Sequence, residues 1–156
     1  MTSPPPSSYY TPTPSRSLLS HLSFGVKSIA LCEPFYIAIL ATLGIVQVYR
    51  NAPAGEPATA CGWGYGGVEP FTIFESSEAA PPGKRTHLAF NAPSRAAVRG
   101  FYDAALGNGG EGDGGPGVRR RYGEHYYACF VVDPEGWRLE AVFQDAVDGD
   151  GEGGEE

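Results

Sequence analysis

The sequence predicts an α+β fold: two paired βαβββ modules forming a curved mixed sheet around a central cavity, with the helices outside. Three observations predict it. First, the chain repeats itself at a shift of 66 residues. HLSFGVKSIALCEPFYIAILATLG (21–44) lies over HLAFNAPSRAAVRGFYDAALGNGG (87–110) without a gap, and ten of the 24 pairs are identical. Second, each copy opens on apolar/polar alternation and then turns helical, so the unit begins strand–helix. Third, 156 residues at 42% apolar content suffice for one domain with a real core. Two copies are too few for a stacked array and point to one domain made of two halves.

In the first copy Leu22, Phe24 and Val26 face one way, with His21, Ser23 and Gly25 opposite; in the second, Leu88 and Phe90 oppose His87, Ala89 and Asn91. The histidines therefore stand on the face away from the apolar one. Ser28 and Ser94 are placed to cap the helices that follow, because a serine oxygen accepts from the free N–H groups of a first turn. Gly44 and Gly110 suit a left-handed helix stop. After the first helix, strands are expected at 45–50, 61–66 and 70–75, separated by a Pro/Gly loop (51–57) and a glycine turn. The second half repeats the order: strand 86–91, helix 94–106, strand near 118–122, strand 126–132, a turn at Asp133-Pro134-Glu135-Gly136, and strand 137–143. The Gly-rich stretch 107–117 reads as a loop, a tolerated surface insertion more than a lid. Module one thus spans 18–75, a linker 76–84 and module two 85–144. Pro/Ser-rich residues 1–17 and the acidic Gly-rich 145–156 are expected to be disordered tails.

The net charge of −7 is misleading as a whole-chain figure, since six acids lie in the C-terminal tail and the rest is near neutral. No basic face argues for nucleic acid. Cys32, Cys61 and Cys129 are odd in number and lack CxxC spacing, so they read as buried free thiols of a reducing, cytoplasmic setting. The first 32 residues hold no acid, as in a transit peptide, but only Arg16 and Lys27 are basic there. The apolar run 29–48 is broken by Glu33 and Pro34 and aligns with RAAVRGFYDAALGNGG, so it is read as a core helix rather than a membrane span.

Only three histidines occur, and two occupy equivalent places in the repeat. On the last strand Trp137, Leu139, Ala141 and Phe143 alternate with Arg138, Glu140 and Val142, which leaves Glu140 as a carboxylate in a largely apolar strand. If the halves pair around a concave sheet, His21, His87 and Glu140 converge. Two imidazoles and a carboxylate on rigid strands suit a divalent metal with open positions. Taken singly, each residue is better explained as an ordinary strand side chain; the repeat-related placement of the histidines brings ligation level with that reading.

These residues resemble those of the vicinal oxygen chelate superfamily, which includes glyoxalase I, extradiol dioxygenases, fosfomycin-resistance proteins and bleomycin-resistance proteins. The resemblance covers roughly 18–144. It rests on HLSFGV and THLAF opening the modules, FYxAxL in each helix, and YYACFVVDPEGWRLEAVF near the end, above all Asp133 to Glu140. It implies that His21, His87 and Glu140 ligate one divalent ion (iron, manganese, zinc or nickel). It implies a metal-dependent lyase, isomerase, transferase or dioxygenase acting on a small molecule, as monomer or homodimer. Thr72 falls opposite Glu140 between modules, where glyoxalase I has a fourth ligand, and is a poor donor. His125 and Tyr126 are candidate catalytic residues, and Tyr65, Arg119, Arg121 and Tyr127 candidate substrate contacts. The alternative is a metal-free module that sequesters a ligand, as bleomycin-resistance proteins do.

Overall fold

A computed structural model describes residues 19–146 apart from Gly67; the segment 1–17 and the acidic tail beyond 146 lie outside the described residues. Module one runs β1 (Leu22–Val26), α1 (Ile29–Ala41), β2 (Val46–Arg50), β3 (Ala60–Tyr65) and β4 (Val68–Glu75). Module two runs β5 (Leu88–Asn91), α2 (Arg95–Gly107), β6 (Glu111–Val118), β7 (Tyr127–Val132) and β8 (Arg138–Phe143). Each module forms its own four-stranded mixed sheet, ordered β1-β4-β3-β2 in module one and β5-β8-β7-β6 in module two. In each, the first strand pairs parallel with the last and the other pairings are antiparallel.

The helices start where the serines predict. Ser28 Oγ accepts from Leu31 N and Ser94 Oγ from Ala97 N. The N-terminus of α1 is also met by two carboxylates. Glu75 accepts from Ile29 N, and Glu135 of module two accepts from Lys27 N and Ser28 N. Negative charge there complements the helix dipole. The helix buries Ile29, Cys32, Phe35, Tyr36, Ile39 and Leu40, a stripe at helical spacing, and leaves Leu31 and Ile37 exposed. This resolves the apolar run 29–48 into one core helix and an edge strand. No helix among the described residues is long and apolar enough to cross a membrane.

Module joins module through the apolar faces. Phe24 stacks on Trp137 at 3.9 Å between centroids, and Phe71 meets Phe90 edge-on at 5.4 Å. Tyr36 of α1 donates a 2.7 Å hydrogen bond to Asp133 in the turn before β8. Asp133 in turn accepts from Glu135 N and Trp137 N, which fixes the predicted turn, with Gly136 at φ +98.

Two expectations need correction. The Gly-rich stretch is not a loop with its strand at 118–122. It is the edge strand β6, and 119–126 is the connection. Glycine carries no alternating side chains, so the strand leaves no period-two signal, yet its backbone pairs with β7 through two register shifts. Gly112 packs under Tyr102, whose hydroxyl would lie 2.4 Å from any Cβ there, and Pro116 is tolerated at a sheet edge. The helix stop after α2 is likewise Gly109, at φ +91, rather than Gly110. Gly110 is required for closeness instead: a Cβ would sit 2.7 Å from Phe35 and 2.9 Å from Val132 O.

Candidate functional site

The two modules keep the repeat in their register. Ser23 pairs with Thr72 and Ala89 with Glu140, so Thr72 does occupy the position in module one that Glu140 occupies in module two. Glu75, the other acid near that place, is spent on the N-terminus of α1.

His87 and Glu140 come together. His87 extends from the start of β5 and Glu140 from the middle of β8, and Nε2 lies 3.0 Å from Oε2. Glu140 is only 1% exposed, whereas the His87 side chain is about half exposed at 48%. A buried carboxylate needs a partner for each oxygen. Tyr126, just before β7, supplies the second by donating its hydroxyl to Oε1 at 2.5 Å. Burial, and then Glu140 as acceptor and neighbouring charge, push the Tyr126 hydroxyl well above its ordinary pKa, so it stays a proton donor at neutral pH. One carboxylate oxygen is thereby fixed and the other directed at the imidazole. Phe130, opposite Glu140 in the sheet, packs edge-on to the His87 ring at 6.1 Å.

The remaining candidates divide. His21 is exposed, within 3.2 Å of Ser20, and lines a cavity of about 240 Å³ together with Tyr65, Trp63 and Leu88. His87 lines a different cavity, of about 370 Å³, with Arg119, Arg121 and Tyr122. Tyr65 also donates a 3.4 Å hydrogen bond to Leu43 O. His125 stands exposed in the turn before β7 and lines neither cavity. Tyr127 points to the opposite face of β7 from Phe130: it lies under the Arg95 guanidinium at 5.0 Å and accepts from Arg99, both of α2. Successive strand residues alternate, so Tyr126 and Tyr127 cannot share a cavity. Sequence reasoning missed Lys84 and Arg138, which line the cavity beside His87. Lys84 stands in a turn and Arg138 at the start of β8, and no sequence spacing joins them to the arginines of 119–121.

Superfamily relatives with this fold commonly use a divalent metal, and the donors of this chain fit one in part. Within one chain His87 and Glu140 offer an imidazole nitrogen and a carboxylate oxygen aimed at one point, with Tyr126 orienting the carboxylate as an outer-shell partner would. Among the described residues no three His, Cys, Asp or Glu side chains are grouped closely enough to hold an ion. The single chain therefore presents two of the three expected ligands.

No protein-family model and no curated protein matches the chain. Solved structures do. It is similar to a glyoxalase/bleomycin resistance protein from Albidiferax ferrireducens T118, with 27% identity over 81% of this chain and 98% of that one and a TM-score of 0.66. A glyoxylase/bleomycin resistance protein/dioxygenase domain from Frankia sp. EAN1pec matches at 17% identity over 84% and 100%, TM-score 0.60. The fosfomycin resistance protein FosX from Listeria monocytogenes matches at 17% over 81% and 93%, TM-score 0.57.

Proposed function

Because the chain has the vicinal oxygen chelate fold, we propose that it is a metal-dependent enzyme acting on a small molecule, with a centre completed between two copies. His87 and Glu140 of one copy would hold a divalent ion with His21 of the partner subunit. The observation that supports this reading is the His87–Glu140 pair on parallel neighbours β5 and β8, with Tyr126 holding the carboxylate. Such an ion, when bound, supplies Lewis acidity toward vicinal substrate oxygens.

The chain's own residues have separate tasks in this reading. Tyr126 keeps Glu140 oriented by donating to one of its carboxylate oxygens. Phe130 limits the rotation of His87 by packing on its ring. The lyase, isomerase, transferase and dioxygenase alternatives differ in what binds the open positions, and the element found would direct the assay: iron to oxygen consumption with catechols, and zinc, nickel or manganese to hemithioacetal isomerisation and thiol transfer.

The test is elemental analysis of full-length, tag-free protein beside His21→Ala and His87→Ala. About one equivalent per chain is expected in the wild type, with near-total loss in each variant, since three protein ligands are the usual minimum for such a site. A heterodimer assembled from the two variants should regain one centre, because one of its two sites would have all its ligands. Loss in both variants without regain in the heterodimer would place the centre within one chain.

A second reading has one observation in its favour. His21 and His87 line different cavities in the chain, which suits a metal-free module that sequesters a small ligand. Wild-type protein that takes up no metal even on reconstitution would establish this reading against the first.

A further inference from the structure

The cavity of about 370 Å³ beside His87 is ringed by four cations, Lys84, Arg119, Arg121 and Arg138, against one carboxylate in its lining, Asp113. Asp113 is paired with Arg138. The other three have no carboxylate within ion-pair distance among the described residues. Two are held in place by neutral groups. Arg119 lies over the Phe130 ring at 5.7 Å and donates to Gly115 O at 2.6 Å. Arg121 lies over the Tyr122 ring at 4.6 Å and donates to its hydroxyl at 2.5 Å. A guanidinium fixed by stacking and one donor keeps its remaining N–H groups for a ligand.

The glycine strand β6 is the floor of this arrangement. A Cβ on Gly117 would come within 3.0 Å of Arg119 Nη1, and one on Gly114 would lie 3.6 Å from Nη2 and 3.1 Å from the Phe130 ring. The absence of side chains along β6 thus leaves room for the Arg119 guanidinium to rest on the strand and face the cavity.

We propose that this cavity binds a dianionic oxyanion group, of the phosphate monoester class, and so fixes the charged end of the substrate next to His87. The anion site itself needs no metal; its role in orienting a substrate rests on the enzyme reading above. Two guanidinium forks and an ammonium match the charge and the several acceptor oxygens of a dianion better than those of a single carboxylate. The volume lies near the lower end of the small-molecule range, room for the anionic group and a small attached body.

The experiment is calorimetric titration of the full chain, stripped of metal with EDTA, with phenylphosphonate as a non-hydrolysable probe and inorganic phosphate as competitor. We expect one saturable site that weakens with added salt, as exposed charges are screened. Phosphate should displace the probe, and weaker binding of phosphate than of phenylphosphonate would assign the site to an organic phosphate rather than the free ion. Arg119→Gln and Arg121→Gln should each weaken binding by about tenfold or more. Gly117→Ala should weaken it several-fold at unchanged melting temperature, because the added methyl meets only the end of a flexible side chain. No saturation by ~10 mM, or full affinity in the Arg119→Gln/Arg121→Gln double variant, overturns the proposal. If the probe binds only metal-loaded protein, is lost in His87→Ala and ignores the arginines, the anion sits on the metal. The inference then fails while the metal reading stands. Arginine-dependent binding in a chain that takes up no metal would be the converse.

Discussion

Tyr36→Phe removes one oxygen from the contact that ties the two modules together, and its effect can be worked through from the structure. Tyr36 is fully buried, Asp133 is 3% exposed, and the hydroxyl donates to Oδ2 at 2.7 Å. The other carboxylate oxygen is already used by Glu135 N and Trp137 N. The variant therefore leaves Oδ2 without its donor in a place water does not reach. A hydrogen bond to a charged group contributes about 1.5–3 kcal/mol, so a loss of about 2 kcal/mol is expected at pH 7. At ~4 °C per kcal/mol for a domain of this size, the melting temperature should fall by ~8 °C. The loss should also depend on pH. Burial is the largest influence on Asp133 and raises its pKa above the ordinary carboxylate value, while Tyr36 and then the two backbone N–H groups pull it back. A carboxyl with a raised folded pKa is destabilising as an anion, so its penalty enters as pH rises from the unfolded value through the folded one. Removing Tyr36 Oη takes away the strongest opposing partner and raises the folded pKa further. The penalty of the variant should thus be smallest below about pH 4, where Asp133 is protonated in both states, and grow toward neutrality. Urea denaturation of both proteins at pH 7 and at about pH 4 measures it. A difference under about 0.5 kcal/mol at pH 7, or one that does not shrink in acid, would refute the reasoning.

Three further outcomes are expected. Gly110→Ala should cost about 2–3 kcal/mol in urea denaturation, since the new methyl meets Phe35 and two backbone oxygens, whereas Gly109→Ala should cost only about 1 for its left-handed backbone. All three cysteines are buried, and burial pushes Cys61 up to about 12 and Cys129 to about 11. The native protein should therefore react slowly with a disulfide reagent at pH 8, and three thiols should titrate at once in denaturant. Ser28→Ala should lower stability by about 1 kcal/mol or less, because Glu75 and Glu135 still serve the N-terminus of α1; full unfolding of the variant at 25 °C would contradict that division of labour.

What the sequence made legible was whatever repeated or alternated. The repeat survives as equivalent register, Ser23 on Thr72 and Ala89 on Glu140, although the last strands are offset by 68 residues where the first are offset by 66, because strand pairing is set by the same buried alternation that the repeat preserves. His87 and Glu140 were singled out for that reason. β6 was missed because EGDGGPGV has no alternating side chains to read, although the repeat held the signal: shifting β2 by 66 places a strand at 112–116, inside the observed Glu111–Val118. Tyr127 was misplaced for the reverse reason. The period of two that sorted Glu140 from Leu139 also separates Tyr127 from Tyr126, and its consequence is the packing of Tyr127 against Arg95 and Arg99. Lys84 and Arg138 became visible only when loop and strand were folded beside the arginines of 119–121.

The separation of His21 from His87 follows from which faces the modules use to meet. His87 stands on the Glu140 face of its sheet, whereas His21 lines a cavity that reaches Phe71 and Phe90; Phe24, Phe71, Phe90 and Trp137 close the contact between modules. Helix α1 adds Tyr36 and Phe35 to the same side. A chain that spends its apolar faces on joining its own halves leaves both histidines exposed, with Ser23, Ala89 and Asn91 exposed beside them. Such residues can be brought together by a second copy. A two-fold axis that carries the partner's His21 to His87 and Glu140 necessarily carries His21 to the partner's pair, so every wild-type dimer has two centres or none. On the proposed reading, metal uptake and self-association are then one equilibrium. Added metal should raise the dimer fraction, and dilution should release the metal, by the same free energy.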